Sequence, residues 1–451
     1  MHPARSGLHD AEERQVSGTS DFVRQIHRLS GAPLPEAVVE EATRALLGGV
    51  GNAIGAIRYA EVETLLGVAL ANGAAVRTTP LPGRTERVDP LSAATIVGTA
   101  AHIDDFDDTH LATVTHPTAC VLAAAWPLLH VAEVSGRDFV EACALGMEAE
   151  IRVAWAMTPG HYDSGWHITS TVGVVGAAVT AGLLLGLDEE LLVQAVAISA
   201  SMTLGHREGF GTTAKSFHPG KAGANGLLAA HLARAGVRAS STVLEDPRGY
   251  FAALSPESHL DRLVEGLGSD FMLLDNTYKP YPCGVVSHPA IEAAEVLHSR
   301  LAGREVTAVR VHCHPLTVEL AGNAAPDSGL SAKFSAPHSV AVTLIDGEAG
   351  LRQFSDLRVG EPEVAALRGR VTLQPDPALS RSAAVVEVDL SDGASLRESI
   401  TAVKGSREKP LTDAEIDAKI RALVERSCPG RGADVVAQVR GWSSSRRAVL
   451  A

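Results

Sequence analysis

Between residues 35 and 247, apolar side chains recur with helical spacing in one segment after another, while the two-residue alternation of a strand is nearly absent. The periodic segments run over 35–58, 61–73, 90–108, 119–134, 137–157, 167–186, 188–203, 215–235 and 240–247. A chain written this way must bury its helices against one another. Capping chemistry marks the boundaries: Asp89-Pro90 and Ser135-Gly136-Arg137-Asp138 open helices, and Gly186 and Gly236 close them. An earlier helix is expected from Ser20-Asp21, where FVRQIHRL repeats the i, i+3, i+4 pattern, and the polar residues 1–20 are expected to be frayed. Aromatic residues are only 4% of the chain against 42 glycines, so the core must be filled by Ala, Val, Leu and Gly in closely packed helices.

The chain is long enough for a sizeable core, with 451 residues of which 45% are hydrophobic and 20% charged. Its formal net charge of −14 and the lack of a basic run argue against nucleic acid and anionic membrane as partners. Thr171 to Leu187 is apolar throughout, but it falls short of the roughly 20 residues that span a bilayer. It ends at Asp188, Glu189 and Glu190, and reads as a buried helix. Cys120, Cys143, Cys283, Cys313 and Cys428 show no CxxC or CxH spacing, which disfavours a disulfide scaffold or a zinc module. No apolar stretch of signal-peptide type follows the N-terminal basic residues, so a cytoplasmic location is expected.

After residue 275 the texture changes. Val306 to His314 alternates apolar and polar residues as a half-buried strand does, and 371–373, 384–390 and 395–403 repeat the pattern around helical segments at 286–301 and 336–345. From Thr412 the sequence TDAEIDAKIRALVER returns to the capped helical style, with another helix at 432–442. The expected architecture is mainly α. A helical domain made of residues 21–270 and 408–451 is interrupted by a smaller α+β lid domain, 271–407, on connections near 268–278 and 404–411 that can hinge.

Polar residues gather in a few strings. His102-Ile103-Asp104-Asp105-Phe106-Asp107-Asp108-Thr109-His110, followed by Thr115-His116-Pro117, interrupts apolar sequence on both sides. On a continuous helix Asp105, Asp108 and Thr109 would share a face, and a solvated acidic helix end is the plain alternative. Asp104, Asp105 and Asp108 also satisfy DDxxD, the magnesium-binding pattern of prenyl-diphosphate enzymes, although no second acidic motif with basic partners follows. His167 precedes the long apolar helix, where a histidine can serve as a cap or a satisfied core residue as well as a catalyst. Lys215, in Lys215-Ser216-Phe217-His218-Pro219-Gly220-Lys221, opposes the dipole of the helix it begins, so it either reaches water or serves an anionic ligand. Lys279-Pro280-Tyr281-Pro282-Cys283-Gly284 is held by two prolines and reads equally as a rigid linker. Gly48-Gly49-Val50-Gly51-Asn52 lacks the surrounding βαβ unit of a phosphate loop and reads as close helix packing.

Together these strings resemble the MmgE/PrpD family, which includes 2-methylcitrate dehydratase, cis-aconitate decarboxylase and iminodisuccinate epimerase. D-F-D-D-T-H with its T-H-P, G-W-H, K-S-F-H-P-G-K-A, K-P-Y-P-C-G and K-F-S-A-P-H occur in the family's order, and the resemblance spans roughly residues 20–445. It implies a helical domain with an inserted lid, a homodimer, and no metal or organic cofactor, which displaces the magnesium reading. It also implies an active site of Asp105, Thr109, His116, His167, Lys215 and Lys279. At the end of the K-F-S-A-P-H string, His338 stands where the dehydratase and decarboxylase members have tyrosine. Imidazole titrates near 6.5 and phenol near 10, so the proton-transfer role there differs, and the histidine resembles the epimerase-like branch.

The chemistry implied is loss of a proton, or of carbon dioxide, at a carbon beside a carboxylate or carbonyl in a small anionic or carbonyl-containing substrate. Lys215 and Lys279 would hold the enolate oxygen, His167 and His116 would move protons, Asp105 would orient or polarise one of them, and Thr109 would bind a substrate oxygen. The leading expectation is a 2-methylcitrate dehydratase-like hydro-lyase, with an epimerase or a decarboxylase as alternatives.

Overall fold

The computed structural model describes residues 18–72 and 77–450. The expected frayed start therefore lies largely outside the described residues. The first helix among the described residues, Thr19–Leu29, opens slightly before Ser20, and the buried Thr19 hydroxyl holds it by accepting from the Leu244 amide and donating to Glu245.

The helical part is built from α1 (Glu36–Ala56), α2 (Pro90–His102), α3 (Pro117–Leu129), α4 (Gly136–Met157), α5 (Ile168–Leu184), α6 (Glu189–Ala200) and α7 (Thr213–Arg234). Asp89 caps α2 by accepting from the Leu91 and Ser92 amides, and Ser135 closes a capping box with Asp138 at the start of α4. The buried helix α7 packs on α2, α3, α5 and α6. Small residues make that possible. At the α2–α7 crossing a Cβ on Gly98 would lie 2.6 Å from Gly220 Cα, and one on Gly220 would lie 2.2 Å from the Thr95 carbonyl oxygen. The scarcity of aromatics is thus the counterpart of helices packed at backbone distance.

Two expected helices differ. The segment 90–108 stops being helical after His102, where the Asp105 amide turns back to the His102 carbonyl at 3.0 Å and Asp105 takes a left-handed φ of +50°. A helix carried through this string would crowd four carboxylates at its C-terminal end, where the dipole repels anions. The segment 240–247 is a run of turns. Ser240 Oγ accepts from the Thr242 amide and Asp246 Oδ1 from the Arg248 amide, local bonds that compete with a helical ladder.

The α+β part holds α8 (His288–Leu301) and α9 (Ala336–Asp346) against a four-stranded sheet of β1 (Val306–Cys313), β2 (Val371–Pro375), β3 (Ala384–Leu390) and β4 (Ser395–Ile400). The strand order is β2-β1-β3-β4, with β1 parallel to β2 and the other pairings antiparallel. Val309 and Val311 point into a core shared with Val386, Val388, Leu297 and Leu344, while Arg310 and His312 stay half-buried on the other face. The chain then returns to the helical part. Thr412 caps α10 (Asp413–Ser427) through a capping box with Glu415, and Ile420 packs where Gly51 of α1 leaves room. The larger apolar core accordingly joins residues from Phe22 to Tyr278 with residues from Ile416 to Ala448, and a separate core runs from Ala290 to Leu390. Among the described residues no helix is long and apolar enough to cross a membrane.

Candidate active site

Leaving the helix at His102 turns the acidic string into a buried loop, in which Asp104, Asp105, Asp107 and Asp108 are each at most 3% exposed. Buried carboxylates need partners. Lys215, from the first turn of α7, donates from Nζ to Asp105 Oδ1 at 2.6 Å and to His102 Nε2 at 2.9 Å. Lys279 arrives from the other side. The two-residue strand Thr109–His110 pairs antiparallel with Asn276–Thr277, which leads the chain into place, and Lys279 Nζ lies 3.1 Å from Asp105 Oδ2 and donates to the Asp105 carbonyl at 3.0 Å. That second bond fastens the left-handed residue. Burial would raise the Asp105 carboxyl, but Lys215 and Lys279 together hold it well below the usual range, so it is ionised.

The histidines are assigned by their partners. His102 Nδ1 lies 2.6 Å from Asp107 Oδ2 and must donate, because its Nε2 accepts from Lys215. Burial pushes its pKa down, against the pull of Asp107, so it is a neutral spacer between an anion and a cation. His116 Nδ1 donates to the Asp108 carbonyl at 2.8 Å, with Thr109 Oγ1 at 3.1 Å, and this leaves the lone pair on Nε2. Burial lowers its pKa to about 3. His167, the residue before α5, lies with Nδ1 3.1 Å from Nδ1 of His218 on α7, so one of the two donates to the other. Burial and the Lys215 charge hold His167 well below its ordinary value, and burial lowers His218 to about 4.

One cavity of about 60 Å³ is lined by Asp105, Thr109, His116, His167, Lys215 and Lys279, together with Phe210, Phe334 and other apolar residues. The structure thus brings together six of the seven expected site residues. His338 is not in its lining. Its Nε2 lies 2.9 Å from the Gln353 carbonyl oxygen, its ring packs on Phe354, and burial lowers its pKa to about 4.

Other groups in the network have no part in the enolate chemistry expected from the sequence. Lys333 of the K-F-S-A-P-H string donates to the Asp104 carbonyl at 2.6 Å, and Tyr59 donates to the Asp104 carboxylate. Lys419 of α10 donates to the Phe106 carbonyl at 2.7 Å and the Lys279 carbonyl at 3.0 Å, and burial brings it down to about 7. A signal for Lys419 was present, since it shares a helix face with the buried Ile416, Ile420 and Leu423. Asp108 accepts from Thr118 and Asn276, and burial beside Asp107 raises it to about 7.

His102, Asp107 and His116 offer ligand atoms within 4.8 Å of one another, a spacing that can hold a metal ion. Here both nitrogens of His102 are bonded and the Lys215 ammonium lies 2.9 Å from it, which leaves the His116 Nε2 lone pair and Asp107 Oδ1 as the uncommitted donors, beside a cation that repels another. This donor set fits a proton and ammonium network better than a divalent cation.

The arrangement can take a proton at His116 Nε2 and place two ammonium groups beside the charge that develops. The model of the MmgE/PrpD N-terminal domain matches residues 20–263, and that of the C-terminal domain matches residues 281–440. The chain is 28% identical over 448 residues to a cis-aconitate decarboxylase of Aspergillus terreus, covering 92% of this chain and 90% of the relative. It is 27% identical over 432 residues to the cis-aconitate decarboxylase of Mus musculus, covering 90% and 86%. It is also 27% identical over 387 residues to a 2-methylcitrate dehydratase of Cupriavidus necator, covering 80% of each. With both of its domains matched along the chain, this protein belongs to the MmgE/PrpD family.

Proposed function

We propose that the chain is a lyase that generates an enolate without a metal or organic cofactor, by removing a proton from a carbon beside a carboxylate or carbonyl. The observation that supports this reading is the shared cavity, in which an imidazole with its lone pair on Nε2, His116, faces the same space as Lys215 and Lys279. In this reading His116 takes the proton and the two ammonium groups stabilise the enolate oxygen in a site largely closed to water. Asp105 holds both lysines at fixed distance, and Thr109 binds a substrate oxygen. His167, accepting a hydrogen bond at Nδ1 from His218, presents its Nε2–H to the leaving hydroxyl, which departs as water with the proton that His116 removed. Elimination of a β-hydroxyl, the dehydratase outcome, then follows from a base and an acid on one cavity.

Decarboxylation is the second reading, because relatives named as cis-aconitate decarboxylases align over about nine-tenths of the chain. It forms the same enolate by loss of carbon dioxide. Epimerisation is the third outcome of the same enolate, by reprotonation from the other face; the His338 imidazole that raised it faces Gln353 and Phe354.

Incubation in D₂O with hydroxy and unsaturated carboxylic acids, followed by NMR, tests the proposal. Deuterium uptake with loss of water supports the dehydratase, and release of carbon dioxide with one deuterium gained supports the decarboxylase. Absence of exchange and product across the panel would overturn both. Turnover should survive exhaustive chelation; loss on EDTA treatment with recovery on adding magnesium would return the acidic string to the metal reading.

A further inference from the structure

A space of about 60 Å³ holds only about four to six water-sized groups, enough for a reacting carbon and its carboxylate but not for a longer acid. Beside it lies a cavity of about 390 Å³, and Val114, Lys279, Val285 and Val286 line both. Those four residues are the partition. On the opposite side the small cavity is covered, because Arg207 lies over the ring of the lining residue Tyr162 at 4.1 Å and pairs at 2.7 Å with Glu319, the neighbour of the lining residue Leu320. The larger cavity suits hydrocarbon and charge alike, since Leu316 and Arg381 both line it.

Of the four partition residues, Val114 alone has a left-handed φ, +52°. A β-branched residue resists that conformation more than any other kind. The loop imposes it. The His110 amide donates to the Thr115 carbonyl at 2.8 Å, and the Thr113 amide donates to the His110 carbonyl at 3.2 Å. Below them Thr113 Oγ1 donates to Thr115 Oγ1 at 3.0 Å, with His110 Nδ1 2.8 Å away, and both threonines are fully buried. At the ends of the same loop stand Thr109 and His116, which line the catalytic cavity themselves. Backbone strain persists only where the surroundings over-determine it, and it gathers at ligand clamps. Glycine would satisfy this backbone without penalty, so what the isopropyl group adds is bulk at the partition.

We infer that Val114 is a specificity-determining residue, whose side chain sets how large an arm a substrate can extend from the catalytic cavity into the larger one. This rests on the enolate-forming reading of the site and deepens it. The reacting step is the same for every acid: the C–H electron pair becomes the enolate, the proton goes to His116 Nε2, and in D₂O a deuteron returns to carbon. What Val114 selects is the substituent carried beyond the reacting carbon.

The test follows deuterium uptake and product by NMR in D₂O on the full chain, with two series of acids: 3-methylmalate and 3-butylmalate, and 2-methylcitrate and 2-butylcitrate. In at least one series, Val114→Gly and Val114→Ala should raise the kcat/KM of the butyl acid relative to the methyl acid at least about tenfold over wild type, the scale set by a few carbons in an apolar passage. Val114→Gly should also have a higher denaturation midpoint than Val114→Ala, because only glycine is free of the left-handed penalty. Turnover with an unchanged butyl-to-methyl ratio in both variants overturns the inference and leaves the enolate reading standing. A midpoint for the glycine variant at or below that of the alanine variant overturns it as well, since the loop then does not impose the conformation. Absence of exchange with every acid, in wild type and variants alike, removes the enolate reading and the inference with it.

Discussion

Lys215 and Asp105 pair beneath the cavity with side chains 5% and 4% exposed, whereas Arg310 and Asp389 pair across the sheet with a third of each side chain still in water. The chemical partners are similar and the energetics are opposed. Half-hydrated charges lose little on pairing and gain about 0–1 kcal/mol. Charges stripped of water are costly to place, and breaking such a pair leaves one of them uncompensated. The sheet region uses ion pairs to decorate a surface over an ordinary aliphatic core of Val309, Val311, Val386 and Leu297. The helical region holds a mutually dependent set of aspartates, lysines and histidines in its interior. Perturbed, interlocked titratable groups beside a cavity are what proton-transfer chemistry needs.

The sharpest break of this comparison is Lys215→Ala. Turnover should fall about a thousandfold, because a preorganised cation beside the enolate is lost. Cooperative unfolding should persist, since Lys279 still covers Asp105. His167→Ala should lose about a hundredfold in the same assay. A near wild-type rate in either variant removes that residue from the chemistry.

Gly220→Ala probes the packing that surrounds the buried charges. A methyl group 2.2 Å from the Thr95 carbonyl oxygen must push α2 and α7 apart, with a loss of about 3 kcal/mol in denaturant titrations. Equal stability of variant and wild type would mean that the crossing is looser than these distances.

Asp108→Asn sharpens the electrostatic side. The folded carboxyl titrates at about 7 and an unfolded one near 3.9, so its ionisation penalises the fold progressively as pH rises between those values and fully above 7. Asparagine removes the penalty. The stability gained over wild type should therefore be small near about pH 4 and grow to a few kcal/mol near about pH 8. A pH-independent difference would show that Asp108 is not held protonated by its surroundings.

The smallest effects belong to the α+β region. Arg310→Ala should change stability by no more than about 1 kcal/mol, and a loss of several would erase the contrast between the two kinds of ion pair. His338→Gln should leave kcat and KM within about threefold, because the ring serves the Gln353 carbonyl rather than the cavity. A large loss of kcat at unchanged KM would bring His338 back into the reaction.

Much of this was legible from local chemistry. Asp89, Ser135 and Thr412 announced their helices because a cap is a short-range bond, and Val306–Cys313 announced a strand because alternation is short-range too. The motifs carrying Asp105, His116, His167, Lys215 and Lys279 were readable as strings. What hid was anything decided by a distant partner. The end of α2 at His102 depends on Lys215, 113 positions beyond His102, and Lys279, 174 positions beyond Asp105, which make the loop cheaper than an acidic helix end. His218 was visible as a letter but not as the partner of His167, and His338 kept its place in the motif while its side chain turned to a carbonyl of its own region.

Lys419 adds a consequence in time. It joins the carbonyl of Phe106, 313 positions earlier, to the carbonyl of Lys279, 140 positions earlier. A growing polypeptide that has already produced every residue lining the cavity still lacks the strap across its two loops, which is delivered by a helix that follows them in the chain. Until that helix docks on α1, the aspartate loop has its charges in place but lacks the donor that ties it to the Lys279 segment. Birth of the finished pocket is therefore postponed until residue 419 has been made, and a chain stopped short of it should bury the same sequence strings and catalyse nothing.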